Sequence, residues 1–181
     1  MDETVWYAIL FPHTRGVHPV TRRMAALTGG TPIPDPHVTL GAVRPHDPAA
    51  DLVAPLRRLA GPPVPIRAAG PYNAIYRPDA PTAHTILLRV APMPALREWY
   101  DAVHDALHPL ATPVWPTWAD AHPHLHAVRG TTLPPPAAIA LLEGEPWEVS
   151  FEATTLVVSQ RRGDAYQVRL TRPLVQPAPD E

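Results

Sequence analysis

The sequence predicts an α+β fold built as a pseudo-duplication, and three observations carry the prediction. Strand-like and helix-like segments alternate along most of the 181 residues. One short phrase occurs twice, as Pro36-His37-Val38-Thr39 and as Pro123-His124-Leu125-His126. Both copies run on into Ala-Val-Arg, at Ala42-Val43-Arg44 and Ala127-Val128-Arg129. The chain then finishes on a hairpin pattern. No linker is long enough to part independent domains, so residues 1–181 read as one domain, with a frayed tail from about 173.

The elements follow in order. Val5 to Phe11 is a buried-strand pattern stopped by Pro12. Pro19 suits the first turn of a helix over 19–28, which Gly29-Gly30 closes. Pro32, Pro34 and Pro36 make an extended approach to a strand from His37 to Val43. Asp47-Pro48 reads as an N-cap and first helical residue. It leads to a helix from Ala49 to Ala60 with Leu52, Leu56 and Leu59 on one face. Val64–Ala69, Tyr72–Tyr76 and Thr85–Val90 are strands, the last an apolar run rich in β-branched residues. Over 94–108, Leu96, Trp99, Tyr100, Val103 and Leu107 recur at helical spacing. Residues 111–121 are a Pro/Trp loop entering the second His strand, 124–128. Pro134-Pro135-Pro136 opens a short helix ending near Gly144. Val149–Ser159 and Ala165–Thr171 pair around Arg161-Arg162-Gly163-Asp164.

Composition excludes several chemistries. There is no cysteine, hence no disulfide, thiolate metal site or Cys nucleophile. All 15 cationic side chains are Arg. This rules out an adenylated lysine, a Schiff base and a Walker-type phosphate lysine. The formal charge of −2 provides no broad basic field for long duplexes and favours a short ligand or a nucleic-acid terminus. The 27 prolines are spread along the chain, as rigid loops would have them. Met1-Asp2-Glu3-Thr4 is no basic leader, and no apolar run reaches bilayer length. The expectation is a soluble, cytoplasmic monomer with no membrane partner.

The doubled phrase carries the chemistry. Residues two apart on a strand share a face, so His37 pairs with Thr39 and His124 with His126. Two imidazoles brought to one cleft supply a base and an acid on opposite sides of a reacting group, and their ordinary pKa of about 6.5 lets neutral and protonated forms coexist near neutrality. The polar partner can donate to a phosphate oxygen as charge builds there. Arg44 and Arg129 stand an odd number of positions from their histidines and face away, unless a bulge restores them.

These phrases resemble the paired His-x-Thr/Ser signatures of the 2H phosphoesterase superfamily, in its 2′–5′ RNA ligase-like branch. The resemblance takes in the opening strand and helix, both motifs and the closing hairpin at Ala165-Tyr166-Gln167-Val168-Arg169-Leu170. It implies a two-lobed pair of antiparallel sheets with outer helices around a central cleft. The implied activity is a cofactor-free RNA 2′,3′-cyclic phosphodiesterase giving a 2′-phosphate, with an ATP-independent, reversible 2′–5′ RNA ligase activity beside it. RNA ends or small cyclic nucleotides are the implied partners. By carry-over His37 and His124 are catalytic and Thr39 binds phosphate. His126 stands where the family has Thr or Ser and binds phosphate through a ring N–H.

Other readings attach to the same residues. Trp115 and Trp118 could stack on an RNA base, or simply pack their Pro-rich loop, and Tyr72 and Tyr76 share that ambiguity. His122, His124 and His126 form a His-x-His-x-His run that could hold a transition metal in a hydrolase. His104 and His108 lie one helical turn apart on an exposed face. His13 and His18 could line the cleft. Arg161 and Arg162 could meet phosphate from the hairpin. A non-catalytic module binding RNA ends on the same scaffold is the alternative from a different class, and His126 is the feature that favours it.

Overall fold

A computed structural model describes residues 4–12, 16–77, 80–115, 117–131, 133–163 and 165–174, with their side chains except at 72–77, 80–83, 120, 121 and 135. The expected frayed tail lies outside the described residues from 175 on, as do His13 and the side chains of Tyr72 and Tyr76. The fold is α+β. The elements are β1 (Thr4–Pro12), α1 (Pro19–Thr28), β2 (Thr31–Pro32), β3 (Val38–Pro45), α2 (Val53–Arg58), β4 (Val64–Arg77), β5 (Ala80–Val90), α3 (Pro94–Leu107), β6 (Ala111–Pro113), α4 (Trp118–Ala121), β7 (His124–Thr131), α5 (Pro135–Leu142), β8 (Trp147–Arg162) and β9 (Ala165–Pro173).

Local chemistry sets the boundaries. Pro19 opens α1, and His18 caps it by accepting the Val20 N–H on Nδ1 at 3.2 Å. His18 thus works at a helix end, where the sequence left a place in the cleft open. Gly29 takes the left-handed conformation after α1, at φ 67°, as a helix-terminating glycine does. The helix expected over 49–60 contracts to Val53–Arg58. A helix starting at 49 would bury Pro55 in its interior, where Pro has no N–H to donate and clashes with the preceding turn. Asp51 supplies the start instead, accepting the Val53 and Ala54 N–H groups at 2.9 and 3.3 Å, and Pro55 falls in the first turn. Asp47, the expected cap, closes a separate turn by accepting from Ala49 at 2.8 Å.

The strands form one nine-stranded sheet in the order β2-β7-β5-β4-β8-β1-β3-β6, with β9 also on β8, and every described pairing is antiparallel. The segments expected at 64–69 and 72–76 join into β4 across a register shift between Ala69 and Asn73. β8 is shared between two halves of the molecule. Its first part, Trp147–Ala153, pairs with β4, and its remainder, Thr155–Arg162, lies between β1 and β9. One half is therefore β2-β7-β5-β4 and the start of β8. The other is the rest of β8 with β9, β1, β3 and β6.

The helices pack on one face of this sheet. Met24 of α1, Leu56 of α2, Val103 of α3 and Leu142 of α5 join Leu10, Leu40, Ile66, Leu88, Leu125 and Leu156 in one buried cluster spanning both halves. Tight backbone approach is part of this packing. A Cβ on Gly30 would lie 2.5 Å from Val128 Cγ1 and 2.9 Å from the Arg129 carbonyl, so only glycine lets the end of α1 close against β7. The opposite face carries the motif histidines His37 and His124. Among the described residues no helix is long and apolar enough to cross a membrane.

Candidate active site

The sheet bends until the two motif strands meet. In hydrogen-bonding order β3 and β7 are five steps apart, which at about 4.8 Å per step would separate them by roughly 24 Å in a flat sheet. Their Cα atoms come within 8 Å of each other. The chain itself bridges the gap. The Ile33 N–H bonds to the Ala127 carbonyl of β7 at 3.0 Å, and His37 is only four residues further along.

Each motif histidine is anchored in the same manner. His37 Nδ1 donates to the Asp35 carbonyl at 2.8 Å, and His124 Nδ1 donates to the His122 carbonyl at 2.8 Å. A carbonyl only accepts, so Nδ1 carries the hydrogen in both rings and Nε2 points away from the anchoring carbonyl. The carbonyl is aimed by an unusual backbone. Asp35 and His122, each two residues ahead of its histidine and directly before a proline, have φ of 54° and 38°. They are the only non-glycine residues with positive φ among those described. A left-handed residue before proline is costly, and it occurs once in each copy of the phrase. Gly16 holds the first copy through its N–H to Asp35 Oδ1 at 2.6 Å and its carbonyl to the Asp35 N–H at 3.0 Å. The Val90 N–H to Pro123 carbonyl bond, at 3.1 Å, holds the second.

Both histidines are half-buried and look onto the helix-free face. The His37 ring lies against Phe11 with centroids 4.8 Å apart. Thr39 stands opposite Ile9 on the same face. His124 and His126 stand opposite Arg89 and Leu87 of β5. Leu87 is 1% exposed yet lies outside the main helix-side cluster, as befits a floor between the two halves. His124 Nε2 and His126 Nε2 are 3.1 Å apart, so one of the two carries a hydrogen directed at the other.

Bulges alter the expectation for the two arginines. In β3, Ala8 opposes Gly41 and Ile9 opposes Thr39, which makes Leu40 an extra residue. In β7, Ile86 opposes Val128 and Leu87 opposes His126, which makes Ala127 extra. Each bulge lies three residues past its histidine and reverses the alternation beyond it. Arg44 and Arg129 therefore turn to the same face as the histidines, where regular strands would have faced them away.

The sequence reading missed Arg89. It stands directly across from His124, at the distance of a cross-strand pair, between depressions of about 650 and 340 Å³. Its signal was concealed by the apolar run Ile86-Leu87-Leu88, which reads as a strand buried on both faces. Trp118 stands elsewhere. It packs edge-on to Tyr100 with centroids 5.1 Å apart and lines a depression of about 710 Å³ beside α3, on the helix side of the sheet. The Trp115 carbonyl accepts from the Tyr100 hydroxyl at 3.2 Å. His104 is stacked on Tyr100 beneath Gly41 and is half-buried rather than exposed. Among the described residues no group of three His, Asp or Glu side chains is placed to hold a metal ion.

No protein-family model matches the chain, and no curated protein matches it. Among solved structures it is similar to Usb1 of Kluyveromyces marxianus, with a TM-score of 0.56 at 10% identity, covering 94% of this chain and 98% of that one. Usb1 of the same organism with uridine monophosphate matches with a TM-score of 0.56 at 11% identity over the same shares. At such identity the likeness is one of fold.

Proposed function

We propose that the chain is a metal-independent RNA phosphodiesterase of the 2H type, opening terminal 2′,3′-cyclic phosphates to 2′-phosphates. The observation that carries this reading is the matched anchoring of His37 and His124, on strands that converge from opposite halves of the sheet. The fold shared with a structure holding uridine monophosphate supports a nucleotide ligand.

The reaction needs three acts. Water loses a proton to one imidazole as its oxygen bonds to phosphorus. The P–O3′ bond breaks, and the second imidazole protonates the departing 3′ oxygen. Meanwhile donors stabilise the charge gathering on the non-bridging oxygens. A neutral His37, with its hydrogen on Nδ1, keeps its lone pair on Nε2 and is suited to take the first proton. His124, when protonated on Nε2 as well as on Nδ1, is suited to deliver the second, with His126 Nε2 3.1 Å away to orient that hydrogen. Thr39 and His126 are the phosphate donors, and Arg89 adds a guanidinium beside His124. With a 5′-hydroxyl in place of water as the attacking group, the same base, acid and P–O3′ cleavage would seal a 2′–5′ linkage without ATP, and its reverse would cleave one.

The test is incubation with a short RNA ending in a 2′,3′-cyclic phosphate, in EDTA, resolving 2′- from 3′-phosphate products. A 2′-phosphate formed at undiminished rate under chelation is expected. A 3′-phosphate product, or loss of turnover on chelation, would contradict the mechanism. A second reading, a non-catalytic binder of RNA ends, draws on the bond that ties His126 to the reactive nitrogen of His124. It is favoured if the cyclic end binds tightly and stays intact for hours.

A further inference from the structure

The helix-free face continues well beyond the histidines. On β1, Phe11, Ile9, Tyr7 and Val5 alternate onto it, in rows roughly 7 Å apart. The row of Ile9 holds Thr39. The next holds Tyr7, opposite Ala42 of β3 and Ser159 of β8, with Val168 of β9 beyond. The last holds Val5, opposite Arg161, with Tyr166 beyond it, while the β3 register brings Arg44 to its other side. Tyr166 and Val168 are large hydrophobic side chains left 63% and 61% exposed. The Tyr7 and Tyr166 rings lie 5.9 Å apart. Burial, and Tyr166 next to it, hold the Tyr7 hydroxyl above its ordinary pKa of 10.0, against the pull of Arg161 and Arg44, so it stays a neutral donor. These rows contain no acidic residue among those described.

We propose that this face is a binding track for the RNA strand leading to the terminal phosphate, with bases stacking on Tyr166 and Tyr7 and backbone phosphates meeting Arg44 and Arg161. Charge and continuity single out this occupant. Two guanidiniums beside the exposed Tyr166 ring and the half-buried Tyr7 ring match the alternating phosphates and bases of a single strand. The track also runs unbroken from Thr39, one row away from Tyr7. It rests on the phosphodiesterase reading for which part of the strand lies here.

The test uses the full chain and a labelled six-nucleotide RNA with an unreactive 3′-hydroxyl, followed by fluorescence anisotropy, with uridine monophosphate as the short probe. The wild type should bind the six-mer at least about tenfold more tightly than the mononucleotide. Tyr166→Ala should weaken six-mer binding about tenfold. Arg44→Ala should weaken it and lower the salt slope by about 0.7. Both side chains are exposed, and circular dichroism checks that the variants fold. Variants binding like the wild type, or a wild type without preference for length, would overturn the proposal. So would a Tyr166→Ala protein whose sedimentation changes while RNA affinity does not, since the face would then join two copies. Length-dependent binding without hydrolysis removes the enzyme reading and leaves the track. Hydrolysis without length dependence removes the track alone.

Discussion

His126 departs in chemistry from its counterpart Thr39. A threonine hydroxyl donates without titrating, whereas His126 shares a hydrogen with Nε2 of His124. His126→Thr is expected to keep cyclic-phosphate hydrolysis within about tenfold, since a donor remains at that position. It should also change the alkaline limb of the pH–rate profile, the limb that reports the general acid, because the shared hydrogen is gone. Abolished turnover in a folded His126→Thr protein would show that the ring is needed as more than a donor. For the anchored pair the expectation is larger. His37→Ala and His124→Ala should each lower kcat by about 10²–10⁴-fold with unchanged circular dichroism. Equal activity in either variant would remove that histidine from the mechanism. His37, Thr39, His124 and His126 could be picked out because a repeated phrase is visible as text. Arg89 belongs to no phrase, and only strand pairing sets it beside His124.

Among the elements, α3 against β3 shows how the helix side supports the site. Gly41 leaves room for His104, whose Nε2 would lie 3.3 Å from a Cβ placed there. Burial lowers the pKa of His104 below its ordinary 6.5, outweighing the Leu40 backbone and the Asp101 and Asp105 carboxylates. His18, at the head of α1, is lowered by burial too, and protonation would fill the lone pair that caps the helix. A lowered folded value means that the fold favours the neutral ring. The resulting stability is complete above pH 6.5 and is lost as pH falls through the folded value. His104→Gln should therefore show a smaller fall in Tm between pH 7 and pH 5 than the wild type. An identical fall would mean that His104 does not contribute. Helical spacing located α3, which buries one face, while Pro19 with Gly29-Gly30 located α1 and the repeated phrase located the His strands. Helical spacing overran α2, because it gives no weight to Pro55. It could not show the bulges at Leu40 and Ala127, which depend on the partner strand, so Arg44 and Arg129 were faced the wrong way.

Over the whole molecule, the doubling legible in the text became two halves of one curled sheet. What the text did not reveal was that β8 serves both halves, because the long apolar run around Leu156-Val157-Val158 looks like one arm of a local hairpin. With β8 common to both and one buried cluster spanning them, unfolding should be a single cooperative step. Far-ultraviolet circular dichroism and tryptophan fluorescence should give coincident transitions. Two separated transitions would mean that the halves fold independently.

The unbroken course of β8 also bears on how the proposed reaction would turn over. A clamshell opening would have to bend this strand through its ladders with β1, β4 and β9 at once, so the groove behaves as a preformed slot. An RNA terminus would then enter and leave along the sheet surface, and the pace of catalysis would be set by chemistry and by strand release instead of by the swing of two jaws.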